Sequence, residues 1–185
     1  MLASKPRVCL FIDASNLYYP LREEGWHIDW KRFLAHFQGQ YTLQQTYYYE
    51  GILGRYAYFD KHPSAALEDF LKARNRHEAF LKKLKTFNIT VRTKPVGRLY
   101  SKSEGKIVHK CNFDVELTID VIDQLNQYDV CLLASGDGDF GRLVRYLKGK
   151  FKKVVIIAHG KHLSKTLSPN QFVDLRTLRP DIEMK

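Results

Sequence analysis

Three short apolar runs constrain this chain more than any other feature: residues 8–12 (VCLFI), 130–134 (VCLLA) and 154–158 (VVIIA). Each is too short for a buried helix and is bounded by charge, Gly or Asp. Such runs read as strands covered on both faces, the signature of a parallel sheet. Between the last two, Phe140, Leu143, Val144 and Leu147 recur at helical spacing, which completes a strand–helix–strand unit. Further strands are expected at residues 42–49 and 89–94, with helices at 30–37, 65–87 and 113–127. This alternation predicts an α/β three-layer sandwich around a mainly parallel sheet. Residues 97–110 (GRLYSKSEGKIVHK) are the least regular part, expected as a hairpin turning at Glu104 and Gly105 or as a basic arm.

Ligands of such sheets collect beyond the carboxyl ends of the strands, near the point where strand order reverses. Acids placed just after strands therefore carry more meaning than acids elsewhere. The first run ends FIDASN, putting Asp13 at the strand end and Asn16 in the next turn. A later run ends LLASGDGDF, from which Ser135, Asp137 and Asp139 emerge on a glycine-permitted turn. Asp114, in KCNFDVELTIDVID, sits in the first turn of a helix whose apolar face is read as Val115, Ile119 and Ile122, flanked by Leu117 and Val121. Glu116 and Asp120 are read as the solvated face of that helix, with Asp120 in reserve for the site.

Clustered carboxylates raise one another's pKa unless cations offset them. Oxygen ligands without His or Cys suit hard ions, so Mg²⁺ or Mn²⁺ is the expected cofactor of Asp13, Asp114, Asp137 and Asp139. Such ions activate water and stabilise a leaving oxygen, which points to phosphodiester hydrolysis. Asn16 and Ser135 would orient these ligands. Each Asp also has a local explanation of its own: an Asx-turn for Asp13, an N-cap for Asp139 and a helix-dipole partner for Asp114.

The formal net charge of +10 names a polyanion as partner, and nucleic acid is the natural class. Lys102, Lys106, His109 and Lys110 precede Asp114 directly, and Arg142 follows Asp139, so these cations are candidate nucleic-acid contacts. Tyr56 and Tyr58, past the strand at 42–49, are candidates for stacking on single-stranded bases, although tyrosines in such a stretch also pack helices. The cations at residues 72–85 surround a long helix and read as its solvated face. The three cysteines, Cys9, Cys111 and Cys131, form no CxxC pair, so neither a disulfide framework nor structural zinc is indicated. No apolar run spans a bilayer and no leader pattern precedes Arg7, so a cytoplasmic protein without a membrane partner, folded as one domain over residues 1–185, is expected. The chain also carries no Walker loop, no GxGxxG and no Ser-His-Asp order. A phosphatase with a second Asp two residues after its nucleophile is disfavoured because Ser15 stands there.

FIDASN, KCNFDVELTIDVI and ASGDGDF resemble, in order and spacing, the signature blocks of the NYN domain family, within its LabA-like branch of the PIN-like nucleases. The resemblance covers residues 8–158, with ASGDGDF its most specific part. It implies a PIN-like α/β/α fold and a metal-dependent ribonuclease, RNA being favoured over DNA. It also assigns the acidic roles to Asp13, Asp114, Asp137 and Asp139, with Asn16 and Ser135 as polar helpers. One departure stands out: Cys111 follows Lys110 where family members commonly place Gly. The competing expectation is a non-catalytic RNA-binding or regulatory module on the same fold.

Overall fold

The apolar runs form the middle of a six-stranded, all-parallel sheet in the computed structural model, which describes residues 4–167 and 171–185. Residues 1–3, part of the stretch expected to carry no leader pattern, lie outside the described part. Along the chain run β1 (Arg7–Asp13), α1 (Ala14–Glu23), α2 (Trp30–Gln40), β2 (Thr42–Ile52), α3 (Arg55–Lys61), α4 (Leu67–Thr86) and β3 (Ile89–Pro95). Then come β4 (Gly97–Ser101), β5 (Lys106–Lys110), α5 (Asp114–Asp123), β6 (Val130–Ala134), α6 (Gly141–Gly149), β7 (Lys153–Ala158), β8 (Gln171–Asp174) and α7 (Leu175–Ile182). The sheet order is β3-β2-β1-β6-β7-β8. The chain thus builds outward from β1 in one direction, then outward from β6 in the other. The switch point lies between β1 and β6, where Ile12 pairs with Ala134.

Alternation along β1 sorts the two cores. Val8, Leu10 and Ile12 pack with Leu17, Leu21, Phe33, Phe37, Leu84, Leu178 and Ile182, so α1, α2, α4 and α7 cover one face. Cys9 and Phe11 pack with Tyr47, Tyr49, Leu117, Val121, Leu143 and Leu147, so α5 and α6 cover the other. The expected three layers are therefore present, and among the described residues no helix is long and apolar enough to cross a membrane. The hairpin alternative holds for residues 97–110: β4 and β5 pair antiparallel, and Gly105 takes a φ of +63° in the turn, a conformation glycine adopts without strain.

Helix α5 departs from expectation in rotation and length. Leu117 and Val121, not Val115, Ile119 and Ile122, face the sheet; Val115 is 69% exposed. Its far side is anchored by Asp120, which accepts a hydrogen bond from the Tyr49 hydroxyl at 2.8 Å and pairs with both ends of the Arg92 guanidinium. With Phe113 also buried, the inward stripe runs 113, 117, 121, and a rotation that buried Val115 would break the Asp120 contacts. Glu116 pairs with Lys94 at 2.6 Å. Asp120, whose side chain is 14% exposed, is thus a structural anchor rather than part of a solvated face. The helix ends at Asp123, where the Gln124 N–H donates to the Asp120 carbonyl and the Leu125 N–H to that of Ile122.

On the other face, His77 of α4 meets Glu50 of β2 at 3.1 Å, and that contact outweighs burial to hold the imidazole pKa above its usual value. A raised folded-state pKa stabilises the protein below the unfolded value of about 6.5, and the benefit disappears as pH rises through the folded value. His77→Gln is therefore expected to lower thermal stability at pH 6 by up to about 1 kcal/mol and to have no effect at pH 9. Melts at the two pH values test this, and an equal loss at both would exclude the ion pair as the cause.

Candidate active site

Asp13 ends β1, and the parallel register with β6 brings it beside Ser135, the first residue past that strand. Both Asp13 oxygens are held. Oδ1 accepts from the Ser15 hydroxyl at 2.8 Å, and Oδ2 accepts from the Asn16 amide at 2.7 Å and, more weakly, from the buried Ser135 hydroxyl at 3.5 Å. Although Asp13 occupies the N-cap position of α1, its side chain makes no cap hydrogen bond, so its carboxylate faces outward rather than closing the helix. Ser135 also accepts from the Asp137 backbone N–H at 3.2 Å. That hydroxyl therefore links the two strand ends.

Asp137 and Asp139 share a short 3₁₀ turn at Gly138–Phe140, which Asp137 caps by accepting from the Asp139 N–H at 3.0 Å. The cap is thus Asp137, where Asp139 had the local explanation. This turn is pressed onto the 159–167 segment: a Cβ on Gly136 would meet the His162 carbonyl oxygen at 2.5 Å, and one on Gly138 would meet Ser164 Oγ at 2.5 Å. The two glycines are required by this close approach. Asp114, the first residue of α5, is held by Asn112, whose amide donates to Oδ2 at 2.7 Å while its own Oδ1 accepts the Asp114 N–H at 2.6 Å.

Asp13, Asp114 and Asp137 line one depression of about 90 Å³, with Ser15, Asn16, Cys111, Asn112 and Phe113 completing its wall. Asp139 is more exposed, at its edge. The carboxyl groups feel one another: burial, then the charges of Asp137, Asp13 and Asp139, push the Asp114 pKa above the ordinary carboxylate value, against the donation from Asn112. Among the described residues no ion pair reaches any of the four. The donor set is oxygen throughout, which fits Mg²⁺ or Mn²⁺. No three His, Cys, Asp or Glu groups among the described residues form a ready-made cage. An ion that keeps several of its waters needs only one or two direct carboxylates, so the loose arrangement remains compatible with it.

Cys111 fits its turn without strain. Its φ lies outside the left-handed region, and its side chain occupies the space that Gly51 leaves open, where a Cβ on residue 51 would come within 2.8 Å of Cys111 Cβ. Gly is therefore not needed at position 111 in this chain.

The expected nucleic-acid contacts divide. Lys102, Lys106, Lys110 and Arg142 are all exposed, Lys106 meeting Glu104 at 2.9 Å in a surface pair across the hairpin turn. His109 is turned inward instead: its side chain is 8% exposed and meets Asp60 at 3.0 Å, alongside the Arg98 guanidinium. Those two partners, Arg98 foremost, hold the Asp60 carboxyl down to about 2. The hairpin is thereby clamped to α3. Tyr56 is exposed on α3, and Tyr58, half-buried, packs against His62, Phe59 and Phe70. Ser15 and Asn112 were not singled out in the sequence, yet each holds one of the aspartates; the D-x-S and N-x-D spacings are their only local signal.

The all-parallel sheet between two layers of helices is a three-layer α/β/α sandwich of the PIN-like kind. The chain belongs to the NYN domain family, whose model matches residues 7–176. It is 28% identical to the low amplitude and bright protein LabA of Synechococcus elongatus over 98% of this chain and 91% of that protein. A solved structure of a Vibrio parahaemolyticus protein of unknown function shares the fold, with a TM-score of 0.71 and 22% identity over all of this chain and 99% of its own.

Proposed function

We propose that this protein is a metal-dependent ribonuclease whose site is the acidic rim of Asp13, Asp114, Asp137 and Asp139. The observation that carries the reading is the convergence of four carboxylates from three elements at the switch point, without a compensating cation among the described residues, in a chain of net charge +10. A bound Mg²⁺ or Mn²⁺ would supply water activation and charge neutralisation on the scissile phosphate. The chain's own part is positioning. Ser15 and Asn16 fix the Asp13 carboxylate in one rotamer, and Ser135 couples it to the Asp137 loop. Asn112 does the same for Asp114. Lys102, Lys106, Lys110 and Arg142 would hold the strand's phosphates as it enters, while His109, turned inward onto Asp60, contributes the hairpin's shape instead.

The competing reading, an RNA-binding module without catalysis, is favoured by the lack of a ready-made ligand cage among the described residues. Incubating the pure protein with labelled single-stranded RNA, in Mn²⁺ and in EDTA, separates the two. Products in Mn²⁺ alone are expected; tight binding without products in any metal would establish the module.

A further inference from the structure

A second hollow lies apart from the acidic rim. It is a cavity of about 560 Å³ between the end of α3 and the first turns of α4, lined by Tyr58, Lys61, His62, Asp69, Lys72 and Arg76 among others. That volume suits a nucleotide-sized ligand rather than a lone inorganic anion. Three Lys and Arg side chains face a single carboxylate there, and that carboxylate is already engaged, since Asp69 accepts the Ala66 N–H at 2.9 Å. Among the described residues Lys61 and Arg76 make no ion pair, and the partner of Lys72, Glu68, is 75% exposed, where a pair contributes little. Cations lining one hollow repel one another until an anion enters. The cavity also has an aromatic edge, formed by Tyr58 and His62 with ring centroids 4.7 Å apart.

Its place in the fold ties it to the acidic rim. α3 follows the carboxyl end of β2, and α4 starts at that end and runs back to the amino end of β3, so the cavity opens at the same end of the sheet as Asp13. Asp60, next to Lys61, clamps Arg98 and His109 of the hairpin that leads directly to Asp114. We propose that this cavity is a nucleotide subsite for an RNA strand engaged at the acidic rim. A backbone phosphate lies among Lys61, Lys72 and Arg76, and its base lies against Tyr58 and His62. The assignment rests on the reading of RNA as the ligand and adds a second anchoring point to it.

The test is fluorescence anisotropy of a labelled single-stranded RNA with the full chain, in EDTA so that binding is measured without cleavage, across a salt series. One lost phosphate contact flattens the log–log salt slope by about 0.7, which at 0.1 M salt is about a fivefold loss of affinity. The double variant Lys61→Ala, Arg76→Ala is expected to show both changes. Lys83→Ala, Lys85→Ala removes the same charge from the far end of α4 and should show neither. Lys61→Arg, Arg76→Lys keeps the charges and should restore binding, which excludes misfolding as the cause. His62→Ala is expected to weaken affinity at least about fivefold without moving the slope. Parental affinity and slope in the Lys61, Arg76 variant, or equal losses in the two Ala doubles, would overturn the subsite, and an unchanged His62→Ala affinity would overturn its nucleotide character. If the parent binds in this cavity-dependent way but never cuts RNA in Mn²⁺, the subsite stands and the nuclease reading falls. If it cuts RNA while the cavity variants bind as the parent does, the nuclease reading stands and the subsite falls.

Discussion

Asp13→Asn and Asp137→Asn are each expected to slow metal-dependent RNA cleavage by more than about a hundredfold. Removing even an outer partner of a metal ligand typically costs 10- to 100-fold, and these substitutions remove the proposed ligands themselves. The fold should survive both changes. Asn caps a helix turn as well as Asp does, so the bond from the Asp139 N–H to residue 137 is retained. At position 13 an amide would present one N–H₂ where an oxygen now accepts, and the Ser15 hydroxyl can rotate from donor to acceptor to match it. Because the carboxylates act as a unit, the double variant should be little worse than either single one. RNA binding in EDTA should persist or tighten, since fewer carboxylates repel the backbone. Parental cleavage rates in both variants would place the activity elsewhere.

Phe11→Ala is expected to cost about 3–5 kcal/mol of stability. For a domain of this size that is a fall in melting temperature of roughly 6–20 °C. Phe11 is fully buried in the strand that pairs with both β2 and β6. Its ring stacks on Tyr47 at 5.3 Å and meets Tyr128 edge-on at 6.2 Å, so truncation opens a void between two large rings that cannot both close over it. Val115→Ala, by contrast, should change stability by no more than about 0.5 kcal/mol, because that side chain already faces water. Calorimetric melts of the pair test the burial of Phe11 and the rotation of α5, and a larger loss for Val115→Ala than for Phe11→Ala would contradict both.

The central strands were readable because β1, β6 and β7 are covered on both faces, and such strands leave unbroken apolar runs. β8 was not readable: QFVD is four residues long at the sheet edge, where one exposed side dilutes the apolar signal. Pro20 sits inside α1 and hid that helix, which tolerates it two turns in while Leu17 and Leu21 hold the helix to the sheet. The helix expected at 113–127 is present as α5 but four residues shorter at its end and rotated, since both Val115-Ile119-Ile122 and Leu117-Val121 fit a helical period. Tyr49 and Arg92, distant in sequence, choose between them through Asp120.

Asp13, Asp137 and Asp139 could be singled out because strand ends mark the rim of a parallel sheet whatever the packing, and Asp114 because it opens the helix that follows the basic arm. Their holders Ser15 and Asn112 could not, as short polar residues beside an Asp are common in any turn. His109 looked like one more cation of a basic arm until the hairpin folded it onto Asp60. The basic cavity was equally hidden: Lys72 and Arg76 are two of many cations around α4, and only the packing of α3 turns them toward Lys61.

The most direct test of the proposed site is calorimetric titration of Mn²⁺ into the parent protein and into the Asp13→Asn, Asp137→Asn double variant. The parent should bind saturably and melt at a higher temperature in Mn²⁺, by about 2.7 kcal/mol of added stability at a hundred times the dissociation constant, while the variant should lose both effects. No binding to the parent, or the same isotherm for parent and variant, would contradict the assignment of these aspartates as a metal site.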